Sequence, residues 1–241
     1  LIGTVTDGTD AVITLSNAAA ATGDVDISKY VLADGAQTFT LGAASQDVTT
    51  GAGAVVINTG SVANITDAAL NGTAADSLKV IVNADTNISA AVITGTGGAQ
   101  DAAYAIDIAE NADAITMTTA QNALIGTVTD GTDAVITLSN AGTVTGDADI
   151  SKYVLADGGG TTFTLGDAGQ DVTTGNGADI INVAGLTATG VFNTVNADTI
   201  MLSTGANIAS VDGEGAGAGA TLNANTLTLV KPGGADGASV T

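Results

Sequence analysis

Apolar and polar residues alternate along much of the chain, in short runs that follow Gly, Asn or Asp. The segments 7–15 (DGTDAVITL), 111–117 (NADAITM) and 196–202 (NADTIML) share this pattern. Alternation with a period of two, bounded by turn residues, is typical of β-strands. Such runs recur about every ten residues, which is the strand spacing of a sandwich, a barrel or a solenoid. The pattern predicts an all-β fold.

The best candidate for a helix is the segment 26–34, DISKYVLAD. Ile27, Tyr30 and Val31 fall at helical spacing in it. Its β-branched residues disfavour a helix, and no good capping residue precedes it. We therefore predict that this segment is not helical.

The alternating runs lie inside a duplication of about 123 residues. Residues 1–18, LIGTVTDGTDAVITLSNA, return unchanged at 124–141, and most of 22–58 returns at 145–182. We divide the chain into repeat one, 1–123, and repeat two, 124–241. Because residue 1 opens a repeat, we expect both to belong to a longer array. No apparent cap precedes it, so we also expect copies to associate end to end.

The small size of the apolar residues bears on the architecture. Aromatic residues make up 2% of the chain, and Trp is absent. Stacked coils can be filled by Ala, Val, Ile and Leu, and Gly, Asn and Asp suit their turns. Tandem immunoglobulin-like sandwiches are the alternative, but their thicker cores generally contain more aromatic residues. We therefore predict a β-solenoid-like stack of strands in two tandem repeats.

The charge restricts the possible partners. The chain has 25 acidic and 4 basic residues, a formal net charge of -21. Nucleic acid is excluded as a partner because binding phosphate requires a basic surface. No apolar run is long enough to cross a membrane. Short Asp side chains in turns are good ligands for hard cations, although an acidic surface also keeps a protein soluble.

One loop of repeat two gains oxygen-bearing side chains relative to repeat one. Asp167, Asn176 and Asp179 replace Ala43, Ala52 and Val55, while Asp171 matches Asp47. Calcium takes six to eight oxygen ligands, some of which backbone carbonyls can supply. We predict a calcium site at Asp167, Asp171, Asn176 and Asp179. The alternative is that Asn and Asp are simply good turn residues.

The turn DGTD occurs once in each repeat and carries a pair of carboxylates. The pairs are Asp7 with Asp10 and Asp130 with Asp133. Each pair could hold a cation, so all four residues are candidate metal ligands. An Asx-type turn between two strands is the commoner explanation of such a motif.

The stretch 174–182, TGNGADIIN, resembles the calcium-binding nonapeptide of RTX (repeats-in-toxin) proteins, with Thr174 in place of the first Gly. The whole chain is rich in Thr, Ala, Gly and Asp, and this composition is similar to that of the secreted β-strand-repeat proteins of Gram-negative bacteria. These include surface-layer proteins and large adhesins. The resemblance implies calcium as a cofactor and export to the cell surface.

Catalysis has little support in the sequence. The chain has no His or Cys, and all four basic residues are Lys. The Ser-His, Cys-His and zinc-hydrolase arrangements therefore cannot be built within it. Paired carboxylates could hydrolyse glycosides, but the aromatic platforms of sugar subsites are missing. We predict that the protein is not an enzyme.

These inferences lead to an extracellular structural protein of the bacterial surface. We expect copies of the chain to assemble into a surface layer, sheath or filament that calcium stabilises. The alternative is the stalk of a calcium-dependent adhesin, and a weaker one is a carbohydrate- or ice-binding solenoid suggested by Thr residues on strand faces. The expected partners are other copies of the chain and cell-surface polysaccharide.

Overall fold

The fold is built almost entirely of short parallel β-strands, which confirms the predicted β-solenoid. A computed structural model describes residues 11–17, 19–65, 69–71, 78–82, 85–94, 104–108, 114–129, 134–194, 198–201, 207–208, 228–230 and 239–240. Two compact units are present. Unit one is Leu1–Ile115 with Leu124–Thr132, and unit two is Thr116–Ala123 with Asp133–Thr241.

The strands and the single described helix follow in chain order. They are β1 (Val12–Thr14), β2 (Ala21–Thr22), β3 (Lys29–Val31), β4 (Gln37–Thr40), β5 (Asp47–Thr49), β6 (Val55–Asn58), β7 (Ala69–Asn71), β8 (Leu78–Val82), β9 (Thr86–Asn87), β10 (Val92–Thr94), β11 (Tyr104–Ile108), β12 (Ala114–Met117), α1 (Thr119–Ala123), β13 (Ile125–Thr129), β14 (Val135–Leu138), β15 (Thr143–Thr145), β16 (Lys152–Val154), β17 (Thr162–Thr164), β18 (Asp171–Thr173), β19 (Ile180–Asn182), β20 (Thr187–Ala188), β21 (Phe192–Asn193), β22 (Thr199–Met201), β23 (Asn207–Ile208), β24 (Thr228–Val230) and β25 (Ser239–Val240).

Successive strands alternate between neighbouring sheets, as they must when a chain coils. In unit one, one sheet has the order β1-β3-β5-β7-β10, and the other runs from β2 through β4, β6, β8 and β11 to β13. Tyr30 pairs with Val48 and Phe39 with Ile57, so one turn of the coil takes 18 residues. Two strands per turn account for the ten-residue spacing of the alternating runs.

Unit two repeats this arrangement. Its sheets contain the orders β12-β14-β16-β18-β21, β15-β17-β19-β22-β24 and β20-β23-β25. The segment that resembled a helix forms β3 in unit one and β16 in unit two, as expected from its β-branched residues. Among the described residues, no helix is long and apolar enough to span a membrane.

The core of each unit is a set of ladders in which equivalent side chains stack from turn to turn. Val144, Phe163, Ile181 and Ile200 form one such ladder and are all buried. Two pairs of aromatic residues take matching places in the two units. The rings of Tyr30 and Phe39 lie 4.7 Å apart, and those of Tyr153 and Phe163 lie 4.8 Å apart.

Candidate functional site

The structure describes four of the eight predicted metal ligands. Asp167, Asp171, Asn176 and Asp179 lie in the turns and strand ends between β17 and β19. Asp7, Asp10, Asp130 and Asp133 lie outside the described residues. No hydrogen bond links any two of the four described ligands. Within the described part of the chain, no three acidic side chains are grouped to hold a metal ion.

Asp167 stabilises its own turn. Its Oδ1 accepts a hydrogen bond of 2.7 Å from the Gly169 N–H, and its side chain is exposed. This is the local geometry of an Asx turn, in which a carboxylate takes the place of a backbone carbonyl. The geometry therefore supports the explanation that Asp167 is a turn residue.

Asp171 begins β18 beside a lysine. Its register partner on β16 is Lys152, and in unit one Asp47 is paired in the same way with Lys29. Paired residues of a parallel ladder place their side chains on one face of the sheet, so an ammonium group lies one strand away. Asp171 Oδ1 also accepts a 2.7 Å bond from the Val191 N–H. Both features stabilise this carboxylate without a metal.

Asn176 bonds to a carboxylate of the preceding turn of the coil. Its backbone N–H and its Nδ2 both donate to Asp157 Oδ1, at 2.8 and 3.0 Å. In unit one the Ala52 N–H donates to Asp34 Oδ1 at 2.8 Å. The turn-to-turn bond thus exists in both units, and Asn176 adds a second donor to it.

Asp179 differs from the other three because it is buried. Its side chain is 1% exposed and lies just before β19. Oδ1 accepts a 2.6 Å bond from the Thr161 N–H, and Oδ2 accepts a 3.1 Å bond from the Gly175 N–H. Backbone N–H groups of two successive turns of the coil are therefore satisfied by one carboxylate.

A second buried carboxylate, Asp198, lies on the next turn of the coil, and the sequence did not single it out. It is 0% exposed. Its Oδ1 accepts a 2.9 Å bond from the Asp179 N–H, and its Oδ2 accepts a 2.8 Å bond from the Thr174 hydroxyl. The available signal was NADTIML at 196–202, which places Asp198 before its strand as GADIIN places Asp179.

Thr161, Asp179 and Asp198 precede three neighbouring strands of one sheet, and we call them the polar ladder. The corresponding residues of unit one are Gln37, Val55 and Leu78, which are in register with one another. Two carboxylates in unit two thus stand where unit one has aliphatic residues. The Thr161 hydroxyl is buried and has no hydrogen-bond partner among the described residues.

Burial alters the acidity of the Asp179 carboxyl in this ladder. Desolvation raises the pKa of the Asp179 carboxyl, because the charged form loses its contact with water. The bonds from Thr161 and Gly175 lower the pKa, and the charges of Asp198 and Asp157 raise it. The net shift is upward, so this carboxylate carries its charge at a cost to the fold.

The polar ladder is well suited to organising the turns. Each of its four carboxylate oxygens accepts one hydrogen bond from the protein, so the ladder joins consecutive coils.

No known protein-family model, no curated protein and no solved structure matches the chain.

Proposed function

We propose that the protein is a non-catalytic structural protein of the bacterial surface, whose copies assemble through the ends of their β-solenoid units. One observation supports this most. In the described part of the chain, β1 and β2 are end strands of their sheets, each with a neighbour on one side only. Unpaired strand edges are templates for pairing with another chain.

Calcium has a place in this proposal at exposed carboxylates. A chain with a net charge of -21 repels its own copies, and cations that neutralise it favour association. Asp167 is exposed, as is Asp157 on a neighbouring turn. Calcium's large and flexible oxygen shell suits bridges between carboxylates of different copies. Asp179 is buried and already accepts two bonds, so it is the less accessible ligand.

Sedimentation velocity of the purified chain, with calcium and with a chelator, tests the assembly. We expect oligomers that grow with protein concentration and are favoured by calcium. Val12, on the edge strand β1, is 53% exposed, so Val12→Lys should leave the fold intact and block the edge with charge. We expect this variant to remain monomeric.

Val25→Lys is the matched control. Val25 is exposed and lies in the loop between β2 and β3, outside the edge strands, and its substitution changes the charge by the same amount. We expect it to assemble like the unmodified chain. An unmodified chain that stays monomeric at every concentration, in calcium and in chelator, would overturn the proposed assembly and favour the adhesin stalk.

A further inference from the structure

We propose that Asn87 is an acceptor for N-linked glycosylation, modified at its Nδ2 atom by transfer of a lipid-linked oligosaccharide. The site consists of Asp85, Asn87 and Ser89 in unit one, and we call it the acceptor turn. This inference goes beyond the proposed function, because it assigns a covalent modification. It rests on the proposed export of the chain but not on its assembly.

The triplet Asn-X-Ser/Thr, in which X is not Pro, is the acceptor sequence for N-glycosylation. It occurs three times in the chain, at Asn64, Asn71 and Asn87, and all three copies lie in repeat one. The third residues of the first two triplets lie outside the described residues. The triplet from Asn87 to Ser89 is described completely, so its geometry can be compared with what the reaction requires.

The acceptor turn holds the Asn87 amide in a fixed orientation. Asn87 Oδ1 accepts a 2.9 Å bond from the Ser89 N–H and a 2.7 Å bond from the Ser89 hydroxyl. The first bond forms an Asx turn, and the second places the hydroxyl of the triplet against the amide. No hydrogen bond from a described residue engages Asn87 Nδ2. The reacting nitrogen is therefore available.

The side chain of Asn87 lies on the outer face of its coil. Thr86 and Ile88, on either side of it, are 3% and 1% exposed, so alternation along the strand places Asn87 outward. Asn87 itself is half-buried, and Ala90, just after the turn, is exposed. Val92 is 55% exposed. The surface that follows the acceptor turn is thus open to a bulky substituent.

The positions of the other two triplets favour Asn87 as the acceptor. Asn71 lies in β7, which has β5 on one side and β10 on the other, so its backbone is held inside a sheet and not in a turn. Asn64 is the bridge partner of Asn87 on the adjacent strand segment. Neighbouring strands are about 4.8 Å apart, which leaves room for only one oligosaccharide at this pair. The bonds from Ser89 assign that oligosaccharide to Asn87.

An acidic residue also distinguishes the acceptor turn. Asp85 lies two positions before Asn87 and is exposed, whereas the corresponding residues of the other two triplets are Val62 and Ala69. Asp85 Oδ1 accepts a 2.9 Å bond from the Ala114 N–H, which fixes the carboxylate beside the turn. An exposed carboxylate at this place gives a transferase a charge that a basic side chain can contact.

The reaction joins Asn87 to the first sugar of an oligosaccharide that is activated as a polyprenyl diphosphate. Nδ2 attacks the anomeric carbon, and a carbon–nitrogen bond forms as the bond from that carbon to the diphosphate oxygen breaks. The polyprenyl diphosphate leaves with the bonding pair, and a base of the transferase takes one proton from Nδ2. The bonds that Ser89 donates to Oδ1 polarise the amide, which makes the Nδ2 protons more acidic.

The folded chain, incubated with a bacterial oligosaccharyltransferase and a polyprenyl-diphosphate-linked oligosaccharide, tests the site by intact mass and peptide mapping. We expect a single glycan, attached to Asn87. Ser89→Ala should lose the glycan although it keeps the backbone bond of the turn, and Ser89→Thr should retain it. Asp85→Asn keeps an acceptor for the Ala114 N–H, and we expect it to slow transfer about fivefold.

Asn64→Gln is the matched control, because Asn64 is exposed and its loss removes the adjacent triplet. We expect this variant to be glycosylated normally. Residues 207–209, Asn-Ile-Ala, repeat the first two residues of the acceptor triplet without its hydroxyl and should stay unmodified. Circular dichroism of each variant verifies that it is folded.

A chain that takes up no glycan, a glycan on Asn64 or Asn71, or equal transfer to folded Ser89→Ala would each overturn the inference. An unchanged rate in Asp85→Asn would overturn the role of Asp85 in recognition. A chain that accepts the glycan but never self-associates would contradict the proposed assembly alone. A chain that assembles but is not glycosylated would contradict this inference alone.

Discussion

Two backbone N–H groups at equivalent positions are satisfied in different ways. In unit one, the Gln37 N–H donates a 3.2 Å bond to the Ala54 carbonyl. In unit two, the Thr161 N–H donates to the carboxylate of Asp179. A carboxylate accepts a stronger bond than a carbonyl does, but its burial costs solvation. The balance between these effects can be measured at single residues.

The first prediction concerns Asp179→Val. The variant leaves the buried N–H groups of Thr161 and Gly175 without their acceptor, which should cost about 2 kcal/mol of unfolding free energy at acidic pH. Because the folded pKa of Asp179 is raised, its stabilising contribution is full below the unfolded pKa, near 4, and declines as pH rises through the folded pKa. The cost of the substitution should therefore be smaller at pH 7.

Urea unfolding of both proteins at about pH 4 and pH 7 checks this. The difference in unfolding free energy between the two proteins is the quantity compared, so that the general effect of pH on the acidic chain cancels. A difference that is equal at both pH values, or larger at pH 7, would show that burial does not raise this pKa.

The second prediction is the reverse exchange, Val55→Asp. Val55 is buried, and the neighbouring Gln37 N–H already donates to a carbonyl. The new carboxylate would enter the core without that donor, so we expect a loss of about 3 kcal/mol or more at pH 7. Thermal unfolding at neutral pH gives the result. A loss below that of Asp179→Val would mean that unit one can rearrange to supply donors.

Comparison of the two repeats identified Asp179 as unusual, but it did not show what this residue does. The two repeats reveal that Val55 and Asp179 differ, because their flanking residues are otherwise so similar. They do not reveal which N–H groups face the carboxylate, since those belong to an adjacent turn and to the preceding loop. Asp198 was missed because it lies where the repeats diverge.

At the scale of the elements, a buried glutamine fastens one turn of the coil to the preceding turn in each unit. Gln170 accepts a 2.7 Å bond from the Gly166 N–H and donates bonds of 2.6 and 2.9 Å to the Asp147 and Ile150 carbonyls. Gln46 makes the same three bonds in unit one. One side chain thus links its own loop to the loop of the preceding turn.

The third prediction follows from this clamp. Gln170→Leu keeps a similar volume but leaves the Gly166 N–H and the carbonyls of Asp147 and Ile150 without this partner, so we expect a loss of about 2–4 kcal/mol. Thr143→Val, on an exposed strand position, is the control and should change stability by less than about 0.5 kcal/mol. Urea midpoints of both variants provide the comparison. Equal effects of the two substitutions would show that the clamp contributes nothing.

The strands were predictable and the helix was not predicted, although a signal for it existed. Strand positions follow from alternation because one face of every strand is buried in a ladder. Helix α1 is preceded by Thr118, whose hydroxyl accepts a bond from the Gln121 N–H while Gln121 Oε1 accepts one from the Thr118 N–H. This is a capping box, and TTAQ is readable in the sequence. The short length of the helix and the surrounding strand pattern concealed it.

At the scale of the whole molecule, charge and repetition have opposite effects on assembly. Strand edges favour pairing between copies, and the net charge of -21 opposes it. Three of the four lysines lie close to an aspartate on a neighbouring strand: Lys79 forms an ion pair with Asp107, and Lys29 and Lys152 are in register with Asp47 and Asp171. Much of the acidic charge therefore has no basic counterpart within the chain.

The fourth prediction separates two effects of cations. Diffuse screening should raise the melting temperature of monomeric Val12→Lys equally in calcium and magnesium at matched ionic strength. Bridging between copies should make calcium the better promoter of assembly of the unmodified chain, and Asp179→Val should not change this. Calorimetry and light scattering measure the two effects. If calcium promotes assembly no better than magnesium, or if Asp179→Val removes the advantage of calcium, then bridging by exposed carboxylates is not the mechanism.

Electron microscopy of the purified chain, with calcium and with a chelator, tests the proposed function most directly. We predict continuous filaments or sheets in calcium, which Val25→Lys retains and Val12→Lys abolishes. Uniform single particles of the unmodified chain in both conditions, at the concentrations where sedimentation would detect association, would contradict a self-assembling surface protein.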